Sequence, residues 1–240
     1  MYEGDAELMA RIADSRGRQD ENSGYARLFG NQELGSLISR VQATVIRAGN
    51  ELEAILEDRT PAHLKSDLGS AISGQRDLAG LGSIRVVFQA RLPATSTEAG
   101  GRADIIVISH QERLVSVVEL KDGDTFDTKK ASGELASMTR LARRIGEAID
   151  YQHRIFFCSF NQDDKDAIVR GAKGRFSIDN VMTGSELCGI LQIDYAGLRA
   201  ERASEQPANL QYLVDSLLDI HEVREAIVRR LSQESKEMLW

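Results

Sequence analysis

Two short apolar runs, DIIVI at 104–108 and LVSVVELK at 114–121, stand either side of the five polar residues SHQER. Their Val- and Ile-rich composition and the shortness of the connection predict a β-hairpin. With the turn centred between Gln111 and Glu112, Asp104 lies directly opposite Glu119. Opposed residues on antiparallel strands point to one sheet face with Cβ atoms roughly 4.5–5.5 Å apart, and Lys121, two residues on, shares that face. Nothing about an apolar hairpin needs two abutting carboxylates, which repel. A divalent cation removes the conflict, because Mg²⁺ is a hard ion that takes one or two carboxylates together with water and phosphate oxygens. Such a site stabilises charge developing on phosphorus, while Lys121 positions or helps to deprotonate an attacking water. The implied chemistry is phosphodiester hydrolysis.

An acid-x-Lys triplet is by itself weak evidence, since the chain holds three others: Asp127-Thr128-Lys129, Asp163-Asp164-Lys165 and Glu234-Ser235-Lys236. Only Glu119-Leu120-Lys121 closes an apolar strand whose hairpin partner begins with an acid. The triplet at 163–165 follows a buried-looking strand and ranks second, but the acids before it, Glu147 and Asp150, sit on a helix.

The rest of the chain frames this hairpin. Leu34, Ile38, Val41, Val45, Ala48, Leu52 and Ile55 recur at steps of three and four, which predicts a helix from Glu33 that ends before Pro61. A glycine-punctuated loop leads to a first strand at 84–92. After the hairpin, a Gly/Asp/Lys loop delivers a helix from Glu134 to Tyr151, with Leu135, Met138, Leu141, Ile145 and Ile149 on one face. HRIFFCSF (153–160) is apolar enough to be a central strand. The remainder reads as helical and ends in a long amphipathic segment at 209–240, while residues 1–32 form a loosely structured lead-in. The fold class expected is α/β, one domain over 1–240 with its core at 84–160: a central mixed β-sheet of four to five strands flanked by helices.

Composition excludes several classes. With 42% hydrophobic and 28% charged residues the chain is an ordinary globular one. No run approaches the ~20 apolar residues that cross a bilayer, and a cytoplasmic protein is expected. The two cysteines, Cys158 and Cys188, lie among apolar neighbours and the four histidines are scattered, so a zinc site is not expected. Net charge is −7, which argues against a passive nucleic-acid coat. Charge is uneven, however: 1–60 is net −4 whereas 121–175 is net +2.

The segment GRADIIVISHQERLVSVVELKDGDTFDTKK resembles the catalytic core of the PD-(D/E)xK nuclease superfamily, and more narrowly a type II restriction endonuclease. That pattern has an Asp at the start of one strand and Glu/Asp-x-Lys at the end of the next, matching Asp104, Glu119 and Lys121. Ala103 stands where the superfamily usually has proline. Weaker similarity extends to AGNELEAIL and VMTGSELCGIL. The resemblance implies Mg²⁺-dependent cleavage of double-stranded DNA at a short sequence, leaving 5′-phosphate and 3′-hydroxyl ends. It implies metal ligation by Asp104, Glu119 and the Leu120 carbonyl, and a further acid from the preceding helix, for which Glu53 is the candidate. Palindromic DNA is most simply read by a homodimer, and a cognate DNA methyltransferase is the expected genetic partner. Lys129, Lys130, Arg140, Arg143, Arg144, Arg170, Lys173 and Arg175 are the candidate DNA contacts. Two alternatives stay open: a repair or recombination nuclease of the same fold, and a nucleic-acid-binding domain in which the triad does no chemistry.

Overall fold

The computed structural model describes residues 10–18, 23–73, 84–93, 100–123 and 128–237, with the side chains of 128–132 and 234–237 outside the description. By their contacts the described residues divide into two compact units. One is drawn from the chain up to Glu51 and from Arg199 onward; the other is Leu52–Leu198.

The second unit holds a five-stranded mixed sheet in the spatial order β1-β2-β3-β4-β5, which bears out the expected α/β architecture. Strands β1 (Ile84–Leu92), β2 (Gly101–Ser109) and β3 (Leu114–Lys121) are antiparallel neighbours, while β4 (Gln152–Ser159) and β5 (Val181–Thr183) continue the sheet in parallel. Chain order dictates this change of sense. A four-residue connection (110–113) reverses direction between β2 and β3, whereas a parallel return from β3 to β4 needs a crossover helix. Helix α4 (Thr128–Ile149) supplies it. Its Met138, Leu141, Ala142, Ile145 and Ile149 recur at helical spacing, and all are buried against Ile106, Ile108, Val115 and Val117 of the hairpin. Leu135, expected on the same stripe, packs instead with Phe157, Ile168, Ala172, Phe176 and Val181.

The register expected for the hairpin is the one observed: Ile105 pairs with Val118, Ile106 with Val117 and Ser109 with Leu114. Its last regular rung is Ile105–Val118, one step short of Asp104 and Glu119. On the other side of β2 a rung is missing at the same level. Phe88 pairs with Ile105 and Ala90 with Ala103, but Gln89 and Asp104 between them are unpaired, and Gln89 has φ 47°. Side-chain alternation slips there in both strands. Val87 and Ala90, three apart, share the α4 core, as do Ala103 and Ile106. Strict alternation would put Asp104 and Arg102 beneath α4 with Ile106. The slip instead gives that side to Ala103 and to Gly101, where a Cβ would lie 3.4 Å from the Leu141 side chain. It therefore turns Arg102 and Asp104 off the core.

The preceding helices are α1 (Gly24–Phe29), α2 (Gln32–Arg59) and α3 (Leu68–Ser73). Helix α2 ends just before Pro61 as its sequence requires, and buries Leu52, Ile55 and Leu56. After α5 (Lys165–Gly171) and β5, helix α6 (Gly184–Leu191) is opened by a capping box between Thr183 and Glu186. Helices α7 (Tyr195–Ala203), α8 (Gln206–Asp219) and α9 (His221–Glu237) close the chain. The long C-terminal segment is thus two helices instead of one. They part at Ile220, whose backbone is extended and whose side chain is buried. Among the described residues no helix is long and apolar enough to cross a membrane.

Candidate active site

The ends of β2 and β3 bring Asp104, Glu119 and Lys121 together. Because the ladder stops at Ile105–Val118, the Leu120 N–H has no main-chain partner across the hairpin, and Asp104 Oδ2 accepts from it at 2.8 Å. Lys121 Nζ donates to Glu119 Oε1 at 2.6 Å. Each carboxylate thus has one oxygen fixed, while Asp104 Oδ1 and Glu119 Oε2 have no hydrogen-bond partner among the described residues. Glu53, on α2, lies nearby: it is 3.9 Å from Arg102, and its charge is felt by Asp104. Glu51 is engaged elsewhere, accepting from Arg47 at 2.6 Å.

The electrostatics are those of a crowded acidic site. Burial first, then the neighbouring Glu119 and Glu53, push Asp104 up to about 7, against the Leu120 hydrogen bond and the Lys121 charge, which pull it down. Burial and Glu119 likewise raise Glu53, against Arg102 and Lys121. Burial pulls Lys121 down, but the Glu119 hydrogen bond and the charges of Glu119, Asp104 and Glu134 more than offset it, so Lys121 is held above its ordinary value and stays an ammonium near neutrality. Among the described residues no group of three or more His, Cys, Asp or Glu stands close enough to hold a metal ion. Two carboxylates with a main-chain carbonyl make a smaller set than that, and one of the kind that suits a hexahydrated ion keeping several of its waters.

Beyond the triad, the last residue of β4 and the two that follow it hold the segment after Lys121. Asn161 Nδ2 donates to the Asp122 carbonyl at 2.8 Å and to its carboxylate at 2.9 Å. The buried Ser159 hydroxyl donates to the Gly123 carbonyl at 2.9 Å, and the Phe160 N–H to the Lys121 carbonyl at 2.8 Å. The sequence offered no periodic signal for these contacts, because they join residues nearly forty positions apart.

No family model matches the chain. It is 39% identical over 223 residues, 91% of its own length and 98% of the other's, to the type II restriction enzyme HhaII of Haemophilus parahaemolyticus. The chain belongs to the type II restriction enzymes. It is a site-specific deoxyribonuclease, and its substrate is double-stranded DNA.

The basic residues expected to meet that DNA are dispersed in this restriction enzyme. Arg143 is paired with Glu147 at 2.9 Å, and Arg144 donates to the Pro93 carbonyl at 3.3 Å. Arg140 is half-buried, its Nε without a partner. All three are half-buried. Arg170 pairs with Asp164 at 3.4 Å, and Lys173 and Arg175 are exposed after α5. Lys129 and Lys130 lie in the first turn of α4, with their side chains outside the described residues. The second-ranked triplet is taken up by local structure. Asp163 accepts from the Tyr195 hydroxyl at 3.0 Å, Asp164 caps α5 and Lys165 pairs with Glu186 at 2.6 Å. Cys158 and Cys188 are buried and free.

Proposed function

We propose that this restriction enzyme is a PD-(D/E)xK nuclease that uses Mg²⁺ to cut both strands of its site, leaving 5′-phosphate and 3′-hydroxyl ends. The observation that carries the reading is the convergence of Asp104, Glu119 and Lys121 at one end of the hairpin, with Asp104 half-buried beside a second acid. Burying carboxylates together is unfavourable unless a cation joins them. Asp104, Glu119 and the Leu120 carbonyl are the groups that would hold it. A bound Mg²⁺ supplies Lewis-acid stabilisation of the charge that develops on the phosphoryl oxygens.

The chain's own groups do the rest. Lys121, held charged by Glu119, donates to the attacking water or to a non-bridging oxygen and balances the added negative charge. Its protonated state favours the positioning role over proton abstraction. The water oxygen bonds to phosphorus as the bond to the 3′ oxygen breaks; one proton of that water passes through neighbouring solvent to the 3′ oxygen, which leaves as a hydroxyl, and the other stays with the new 5′-phosphate until solvent takes it. Glu53 is the further acid, set by its approach to Arg102. The two compact units act together as one nuclease. A homodimer fits a palindromic site, a cognate methyltransferase would protect the host sequence, and the cytoplasm is where both would meet DNA.

Digestion of an unmodified plasmid tests this. Discrete fragments with Mg²⁺, none with EDTA, ends that ligate without prior phosphorylation, and loss of cleavage with binding retained in Asp104→Ala are the expected results. Cleavage in EDTA, or unaltered cleavage by Asp104→Ala, would remove the proposal.

A further inference from the structure

The slip at Gln89 and Asp104 has a second effect, on the two arginines beside it. Arg91 and Arg102 are direct partners across β1 and β2. Their neighbours Ala90, Leu92, Ala103 and Gly101 take the side facing α4, so both guanidinium groups project from the other side of the sheet. Directly opposed like charges on adjacent strands are unfavourable. A hairpin edge that keeps two arginines opposed, with both exposed, is suited to an anion lying between them. Glu53, 3.9 Å from Arg102, is the acid that meets the pair, and among the described residues no ion pair engages Arg91. Arg102 precedes Asp104 by two residues, roughly 7 Å along an antiparallel strand. That is within one or two nucleotide steps of about 3.4 Å axial rise each.

We propose that Arg91 and Arg102 form a cross-strand clamp for a DNA phosphate next to the one that is cut. The clamp rests on the reading of Asp104 as the cleavage site, and it adds to that reading how the substrate strand is held. Guanidinium forks bind phosphate bidentately, so a pair of them fixes a phosphate from two sides. Fixing the neighbouring phosphate orients the scissile one against Asp104, Glu119 and Lys121. Glu53, by drawing on Arg102, links the clamp to the acid cluster. These contacts are to the backbone and carry no base information, so they strengthen binding equally on cognate and non-cognate duplexes.

The test uses the full chain and a short duplex carrying the cleavage site mapped with the parent enzyme, with affinity measured in EDTA across a salt series. Each phosphate contact contributes about 0.9 to the slope of log K against log salt. Because the two guanidinium groups share one phosphate, the double alanine variant should lower that slope by about 0.9 and Arg91→Ala and Arg102→Ala each by part of it, and Arg91→Lys should recover most of its share. Melting of Arg91→Ala without DNA should be unchanged or higher, since a repulsion is removed. A duplex with a neutral methylphosphonate beside the scissile position should bind the parent more weakly and the double alanine variant no differently. An unchanged salt slope in both alanine variants, or a parent indifferent to methylphosphonates on either side of the scissile position, overturns the clamp. In those cases Asp104→Ala would still abolish cleavage, and the reading of the active site would stand. Cleavage surviving in Asp104→Ala would remove both.

Discussion

Replacing Asp104 by Asn should make the metal-free protein more stable while destroying its activity. Asp104 is half-buried, beside Glu119 and within range of Glu53, and burial first, then Glu119, push its carboxyl up from the ordinary 3.8 to about 7. A displacement of about three pH units, at about 1.4 kcal/mol each, corresponds to about 4 kcal/mol. A carboxyl whose folded value is raised contributes stability that is complete below about pH 4, declines as the unfolded chain ionises, and is lost as pH passes 7. At pH 8 without metal the folded protein therefore carries an ionised, poorly solvated group. Asparagine is neutral, nearly isosteric, and keeps an oxygen to accept the Leu120 N–H now bonded at 2.8 Å. Allowing for relaxation around the site, Asp104→Asn should gain about 2–4 kcal/mol at pH 8, a rise in Tm of roughly 5–15 °C, and nothing near pH 4. Thermal unfolding in EDTA at pH 4.5, 6.5 and 8 reads the trend directly. Mg²⁺ at a hundred times its dissociation constant should then stabilise the parent by about 2.7 kcal/mol and leave the variant unmoved. A variant less stable than the parent at pH 8, or a gap indifferent to pH, would refute the argument that this carboxylate is held in place for a cation.

Four further outcomes follow from the same geometry. Lys121→Ala removes the ammonium held by Glu119 at 2.6 Å and should lower kcat by about 10²–10³-fold, with DNA affinity nearly kept in a binding assay. Glu53→Gln, which weakens the acid cluster from its rim, should raise the Mg²⁺ concentration needed for half-maximal cleavage by about 10-fold, read from a metal titration at fixed DNA. Raising pH from 6 to 8 deprotonates Asp104, so cleavage at low Mg²⁺ should increase over that range, and the dependence should flatten as Mg²⁺ saturates. Thr183→Ala opens the capping box of α6 and should cost about 1 kcal/mol in urea unfolding without altering the metal requirement.

The hairpin was legible because local constraints agreed on it. Alternating and β-branched residues set the strands, five polar residues set the reversal, and together they fixed the Ile105–Val118 register to the residue. The crossover helix was legible for the same reason, although its start lay six residues earlier than the apolar stripe suggested. Positive charge was far less readable. Arg140, Arg143 and Arg144 have the spacing of a shared face, yet Arg143 is drawn to Glu147 and Arg144 to the Pro93 carbonyl. Helical spacing specifies direction from an axis and leaves open which neighbour waits there. Arg91 and Arg102 escaped notice for the converse reason, because neither belongs to a cluster in sequence and only the pairing of β1 with β2 makes them opposed.

The slip at Gln89 and Asp104 marks the limit of pattern reading, and it is what takes Asp104 off the core. Period-two alternation predicts Asp104 on the face of Ile106, under α4, where a carboxylate would be dehydrated with no cation able to reach it. A non-glycine residue at φ 47° departs from the extended range of a strand at a cost of order 1–3 kcal/mol. No glycine or proline announces it, since Gln89 and Asp104 occupy positions that any strand could fill. The distortion frees the Leu120 N–H from the ladder to hold Asp104 and keeps small Ala90 and Ala103 on the core side. Without it, the same three side chains at the same spacing would be an acid buried under a helix and an ion pair beside it. Strain at one rung thus does what the motif alone does not, setting Asp104 beside Glu119 and Lys121 instead of under α4.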